Sequence, residues 1–165
     1  MDFSEIYRRY APHVHRFSIY LSGNPARAED LAAETFVHAL CGRTSLRVDT
    51  VKAYLFGIAR NLYRDLIERQ RRLVPIAEMA EPSDPAPLPD RAVENQQTFS
   101  AVLKAIQRLP EPQREALVLS MDEDLRYDQI AAILGCSLAA VKARIHRARL
   151  HLKSDLKAED RTWKT

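Results

Sequence analysis

The densest run of charged chemistry lies near the C-terminus, where Lys142, Arg144, Arg147, Arg149 and Lys153 fall between Ser137 and Lys153 with no acid among them. A solvated helix usually mixes signs, so an all-cationic stretch points to a polyanion, and nucleic acid is the common one. At about 100° per residue, a helix that turns Val141, Ile145, Ala148 and Leu152 inward presents Ala139, Ala143, His146 and Arg147 outward. Lys142 and Arg149 then lie on one flank and Arg144 on the other. Small side chains at mid-face let the backbone approach a major-groove floor, while the flanking cations reach phosphates on either side. With about four phosphates neutralised, the log–log salt slope is ~3.6, or about two decades of affinity between roughly 50 and 200 mM salt.

Other reactive side chains form no comparable set. His13, His15, His38 and Cys41 have no spacing that builds a catalytic constellation, so an enzyme is disfavoured. His38 and Cys41, three apart, are able to touch one metal ion, but a single pair makes no closed site, and neither a metal nor another cofactor is expected. Cys41 and Cys136 are distant in sequence and fit reduced intracellular thiols.

The elements that must position these residues are helical throughout. The chain has 165 residues, 46 % hydrophobic and 28 % charged, with a formal charge of +3, which suits one ordinary domain or two small ones. No apolar run approaches the ~20 residues of a membrane span, and the first ten residues hold no apolar signal core, so a cytoplasmic protein without membrane insertion is expected. Between Pro75 and Asn95 the composition changes. Pro82, Pro85, Pro87 and Pro89 fall among Glu78, Glu81, Asp84, Asp90 and Glu94, opposed by Arg91 alone. Prolines so close forbid a continuous helix and the like charges extend the chain, so residues 74–96 read as a flexible acidic linker between modules at 1–73 and 97–156, with a tail at 157–165.

In the first module Phe3, Ile6, Tyr7, Tyr10, Val14, Phe17 and Leu21 recur at helical spacing, with Pro12 expected to kink or break the stretch. Asn24 caps and Pro25 opens a second helix to about Leu40, with Ala28, Leu31, Thr35, Phe36 and Ala39 on one face. After a polar loop from Gly42 to Asp49, a third helix starts at Asp49 or Thr50. It carries Val51, Tyr54, Leu55, Ile58, Leu62 and Leu66 as a stripe and ends in Arg69-Gln70-Arg71-Arg72. The second module places Val102, Ile106 and Leu109 on one helix, breaks at Pro110 to Pro112, and places Leu117, Val118 and Met121 on the next. Tyr127 to Leu134 is then a short helix with Ile130, Ala131 and Leu134 inward. Gly135 turns the chain and Ser137 caps a last helix to about Lys153. The fold class is all-α, two small helical domains, the C-terminal one a helix-turn-helix.

Two stretches together resemble the extracytoplasmic-function subfamily of bacterial RNA polymerase sigma factors. Residues 28–36, Ala-Glu-Asp-Leu-Ala-Ala-Glu-Thr-Phe, resemble its polymerase-binding helix, and residues 53–62, Ala-Tyr-Leu-Phe-Gly-Ile-Ala-Arg-Asn-Leu, through Arg72 resemble its minus-ten helix. Residues 109–115, 130–137 and 141–149 resemble its minus-thirty-five reader. The resemblance implies a factor that binds core RNA polymerase, reads two promoter elements and helps to open the DNA. It assigns polymerase binding to Asp30, Leu31, Glu34 and Phe36. It assigns minus-ten DNA to Arg60, Asn61, Arg64, Arg69, Arg71 and Arg72, where the cations neutralise phosphates and the amide is able to pair with a base edge. It also implies that a base of the melted strand enters a pocket made by residues 42–49, with Arg43 and Arg47, which lowers the few-kcal/mol cost of unstacking. Minus-thirty-five binding falls to Ser137, Ala140, Lys142, Ala143, Arg144, His146, Arg147 and Arg149. The acidic linker would thread the polymerase's nucleic-acid channel. In this subfamily an anti-sigma protein commonly masks both modules, and with only a short tail after the last helix, regulation by a separate chain is expected.

Several residues depart from the family's pattern. Ala33 stands at a common Gln, and Arg126 where a Ser usually caps, so that helix start needs another partner. Ala140 and Ala143 replace a Thr and a Ser, shifting weight to Lys142, Arg144 and Arg147. Tyr54 occupies a common Trp position and reads as a core aromatic. A two-domain regulator of response-regulator type would share the C-terminal module, but its receiver needs alternating strands that the first module lacks. A helical scaffold without DNA contacts sits poorly with the acid-free helix.

Overall fold

The computed structural model describes residues 2–42, 48–73 and 93–163, and these form seven helices with no strand among the described residues. The chain divides into two compact units, Met1–Asp84 and Pro85–Thr165. The bulk of the proposed linker, residues 74–92, lies outside the described residues.

The first unit is a three-helix bundle of α1 (Phe3–Ser22), α2 (Pro25–Cys41) and α3 (Val51–Leu73), each packed on the other two. Asp2 caps α1 by accepting the Glu5 N–H at 2.9 Å. Gly23 ends it in the left-handed region at φ 69°, donating to Ile19 O at 2.8 Å. Asn24 Oδ1 then accepts from Ala26 N at 2.9 Å and Arg27 N at 3.3 Å with Pro25 in the first turn, which is the start the sequence implies. Thr50 Oγ1 accepts from Ala53 N at 3.2 Å and starts α3.

Val14, Phe17 and Leu21 of α1 meet Ala28, Leu31 and Phe36 of α2 and Leu55, Phe56, Ile58 and Tyr63 of α3 in a shared core. Phe17 and Phe56 stack with centroids 4.7 Å apart and planes 10° apart. Tyr7 and Phe3 close over Phe36 edge-on, at 4.9 and 6.3 Å. Ser18 and Thr35 are tolerated in this core because each hydroxyl donates to the carbonyl one turn back, Val14 O and Leu31 O, both at 2.7 Å.

Pro12 neither breaks nor ends α1, which runs through it. Proline removes one backbone hydrogen bond and displaces the carbonyl four residues earlier. Here Pro12 is on the exposed face, where water can serve the displaced carbonyl, and the apolar contacts on the opposite face continue past it. The stripe expected on α3 is also too narrow. Val51 is exposed, while Lys52, Ala53, Phe56, Gly57, Ala59, Arg60 and Tyr63 join Leu55 and Ile58 in the interior.

The second unit comprises α4 (Val93–Gln107), α5 (Glu111–Ser120), α6 (Tyr127–Leu134) and α7 (Leu138–Trp163). The first of these begins four residues before the expected module boundary. Helix α7 touches α4, α5 and α6 and forms the spine. Leu103, Ile106, Leu109, Leu117, Leu119, Ile130, Ile133, Val141, Ile145 and Ala148 fill the core, whereas Met121, expected inward, caps α5 and is exposed. The last helix runs ten residues past its expected end and takes in most of the supposed tail. Half-buried Leu152 and Leu156 extend its inner face, and neither Gly nor Pro interrupts residues 154–165.

Candidate nucleic-acid interface

Backbone geometry sets the direction of α7. Gly135 sits at φ 63°, ψ 37°, a left-handed turn that a side chain adopts only at a cost of about 1 to 2 kcal/mol. Its N–H and that of Cys136 both return to Ala131 O, the latter at 3.1 Å, which closes α6 in a Schellman turn. Ser137 Oγ accepts the Ala140 N–H at 3.1 Å and caps α7, which starts at the next residue. The start of α6, where Arg126 replaces the usual hydroxyl, is completed from the far side. Gln129, buried, accepts the Arg126 N–H through Oε1 at 3.0 Å. An arginine side chain carries donors alone, so only this half of a capping box can form. The guanidinium instead forks onto Asp128, Nε to Oδ1 at 3.1 Å and Nη2 to Oδ2 at 3.4 Å.

With α7 so anchored, Val141, Ile145 and Ala148 are fully buried and Leu152 half-buried, the inner face that the periodicity implies. Opposite them Lys142, His146, Arg147 and Arg149 are exposed, with Ser137 and Ala139 exposed at the leading end. Ala140, Ala143 and Arg144 are half-buried at the edges. Leu138 and Leu150, 44 % and 53 % exposed, add apolar surface to the outer side that the charge pattern had not drawn attention to.

The residues that the resemblance assigns to the minus-ten element are arranged differently. Arg60 is 9 % exposed, and its Nη1 donates to Asn61 Oδ1 at 3.4 Å. Asn61 is half-buried, while Arg64, Arg69, Arg71 and Arg72 are exposed along the second half of α3. Asp65 and Glu68 lie between them, also exposed. Arg43 and Arg47 lie outside the described residues. At the same end of the bundle Arg27 Nη1 donates to Gln70 Oε1 at 3.4 Å, tying the first turn of α2 to the basic end of α3, a pairing that sequence spacing gives no means to find.

On α2, Asp30 and Glu34 are exposed, and Glu34 lies 3.8 Å from His38 one turn on. Leu31 and Phe36, grouped with them from the sequence, are instead 4 % and 3 % exposed and belong to the core. The apolar side chains that share the outward face with the acids are Val37 and Leu40, 58 % and 64 % exposed. Their helical-wheel position was the available signal. No cluster of His, Cys, Asp and Glu able to hold a metal occurs among the described residues. No helix there is long and apolar enough to cross a membrane.

A three-helix unit followed by a helix-turn-helix unit, each with an arginine-bearing helix, defines a class of DNA-directed transcription factors. Residues 6–73 match the family model "Sigma-70 region 2" and residues 99–152 match "Sigma-70, region 4". The ECF RNA polymerase sigma factor EcfG of Rhodopseudomonas palustris is 35 % identical over 144 residues, covering 87 % of this chain and 78 % of its own. SigM of Bacillus subtilis, another ECF sigma factor, is 31 % identical over 157 residues, covering 93 % and 94 %. Among solved structures, the sigma factor RpoE of Bartonella quintana in complex with the anti-sigma factor NepR superposes with a TM-score of 0.77. The identity is 30 %, covering 94 % of this chain and 97 % of that one. The chain belongs to the ECF RNA polymerase sigma factors, DNA-binding proteins of transcription initiation.

Proposed function

We propose that the two units divide the work of promoter recognition, with α7 lying in the major groove of the minus-thirty-five element and α3 facing the minus-ten element. The observation that carries this reading is the acid-free outer side of α7 up to Lys153, held opposite buried Val141, Ile145 and Ala148 by the Gly135 turn and the Ser137 cap. Arg147 reads a base edge, Lys142 and Arg149 hold phosphates on one side and Arg144 on the other, and His146 completes the outer row. Ser137, Ala140 and Ala143 set how closely the backbone approaches.

In the first unit, Asn61 meets the minus-ten strand, with Arg64, Arg69, Arg71 and Arg72 on its phosphates. Arg43 and Arg47 serve the pocket for the unstacked base. Arg60, being buried, orients Asn61 rather than contacting phosphate directly. Core polymerase docks on α2, where Asp30 and Glu34 ring an apolar patch of Val37 and Leu40. Leu31 and Phe36 support that face from beneath. Acids around an apolar centre suit a basic partner surface, since charge steers docking and buried apolar area holds it.

The same reading makes the chain a promoter-selectivity subunit of the cytoplasmic polymerase rather than an enzyme. It also makes the chain a target for a separate anti-sigma chain, as RpoE is for NepR. The residues between α3 and α4, 74–92, act as the acidic connector through the polymerase channel. Run-off transcription from genomic DNA with added bacterial core polymerase tests the proposal. Specific initiation with footprints at both elements is the expected result, and failure to bind core at low salt overturns it.

A further inference from the structure

We infer that the outward face of α1 is a second phosphate-binding surface, extending the DNA track of the first unit beyond α3. Between Glu5 and Glu29 the sequence holds no acid but four arginines, Arg8, Arg9, Arg16 and Arg27. At about 100° per residue, Arg8, Arg9, Pro12, His15 and Arg16 fall on one side of α1, opposite Val14, Phe17 and Leu21, and the one acid of the helix on that side is Glu5 in its first turn. The three arginines and Pro12 of that side are exposed, as is Arg27. No carboxylate among the described residues lies within ion-pair distance of any of the four arginines. Arg9 rests against its neighbour's ring, its guanidinium carbon 5.6 Å from the Tyr10 centroid.

The other two helices of the bundle are unlike this. The outward side of α2 carries Glu29, Asp30 and Glu34, and that of α3 sets Asp65 and Glu68 beside its arginines. Past its first turn, where Glu5 sits, a merely solvated α1 would be expected to mix signs as they do. Arg8 to Arg16 spans about 12 Å along the helix axis, three to four nucleotide steps of ~3.4 Å. The face is also continuous with the DNA-facing cluster. Helix α1 packs on α3, and Arg27, just after the Gly23 turn, donates to Gln70, which sits between Arg69 and Arg71. Its sign is opposite to that of the acidic face of α2, so a surface that attracts α2 would repel α1. The fitting occupant is the sugar-phosphate backbone of promoter DNA flanking the minus-ten element.

This inference rests on the reading of the first unit as the minus-ten reader, and the test separates the two. Full-length chain is assembled with bacterial core polymerase, and binding of a promoter fragment selected by the wild-type holoenzyme is titrated at several salt concentrations. A wild-type holoenzyme that selects no fragment sinks the parent reading before any variant is made. If it selects one, the triple variant Arg8→Gln, Arg9→Gln, Arg16→Gln should lower the log–log salt slope by about two to three units, ~0.7 to 0.9 per lost phosphate contact. Core affinity should be unchanged, and the triple Arg→Lys variant should restore most of the slope. An unchanged slope overturns the inference. So does a loss confined to core binding, which would make an acidic polymerase surface the partner. Should the triple variant melt early, Arg16→Gln alone still decides the matter through a fall of about one unit or none.

Discussion

Helices α3 and α7, the two proposed to carry arginines to DNA, are built in opposite ways. The last helix separates its tasks cleanly, with Val141, Ile145 and Ala148 in the core, cations outside and no acid from its start to Lys153. The third helix is enclosed over nearly its whole first half, from Lys52 to Arg60 with Tyr54 half-buried, and its exposed second half mixes Asp65 and Glu68 with Arg64 and Arg72. A helix that docks as a rigid rod into duplex DNA needs one uniform face. A helix that meets strands being separated can work through a few positioned groups, and its arginines serve the fold as well as the ligand.

The strongest way to break this comparison is to destroy one unit and watch the other. Phe56→Ala removes the ring stacked on Phe17 and should destabilise the first unit by about 3 to 5 kcal/mol. In calorimetry the first unit's transition should collapse while that of the second stays in place. A joint shift would show that the units fold as one. Next in size, Arg147→Ala should weaken minus-thirty-five binding by about 1 to 3 kcal/mol without changing thermal stability. An unchanged footprint would remove Arg147 from the reading face.

Within α3 the buried and exposed arginines should part company. Arg60→Ala leaves a cavity beside Asn61 and should lower the melting temperature together with minus-ten selectivity. Arg64→Ala should leave stability alone and reduce the salt slope by about 0.7 to 0.9. Equal melting temperatures for the two variants would refute the division. The smallest effect is expected from Ser137→Ala, which deletes the cap of α7 at about 1 kcal/mol in urea unfolding.

The same contrast governs how far the sequence could be read. The helix-turn-helix was legible because its punctuation is local: Gly135 has one conformational reason to be there, Ser137 one hydrogen bond to make, and the alternation of faces on α7 is unbroken. The three-helix unit yielded its helix starts at Asn24-Pro25 and Thr50 for the same reason. The breadth of burial on α3 was not legible. A periodic stripe such as Tyr54, Leu55, Ile58 and Leu62 shows which side of a helix is apolar. It does not show that a glycine and an arginine on the other sides are covered as well. Leu31 and Phe36 were grouped with Asp30 and Glu34 through the resemblance of the whole stretch 28–36, whereas on a helix neighbouring residues point about 100° apart and only some share the outward face. The break expected at Pro12 did not occur, since a proline on the exposed face leaves the displaced carbonyl to water. The continuation of α7 past Lys153 could have been anticipated from the absence of any Gly or Pro in residues 154–165.

The length of α7 bears on how the second unit can be controlled. At 26 residues it is about 39 Å long, and the basic leading end and the end past Lys153 belong to one uninterrupted rod. Such a rod is a lever. A tilt of about 10° at a clamp ~20 Å away moves the leading end by about 3.5 Å, the rise of one base step. If α7 lies in the groove as proposed, a protein that grips the trailing half has no need to cover Arg147 or Lys142 to silence them, because such a tilt already displaces them by a base step.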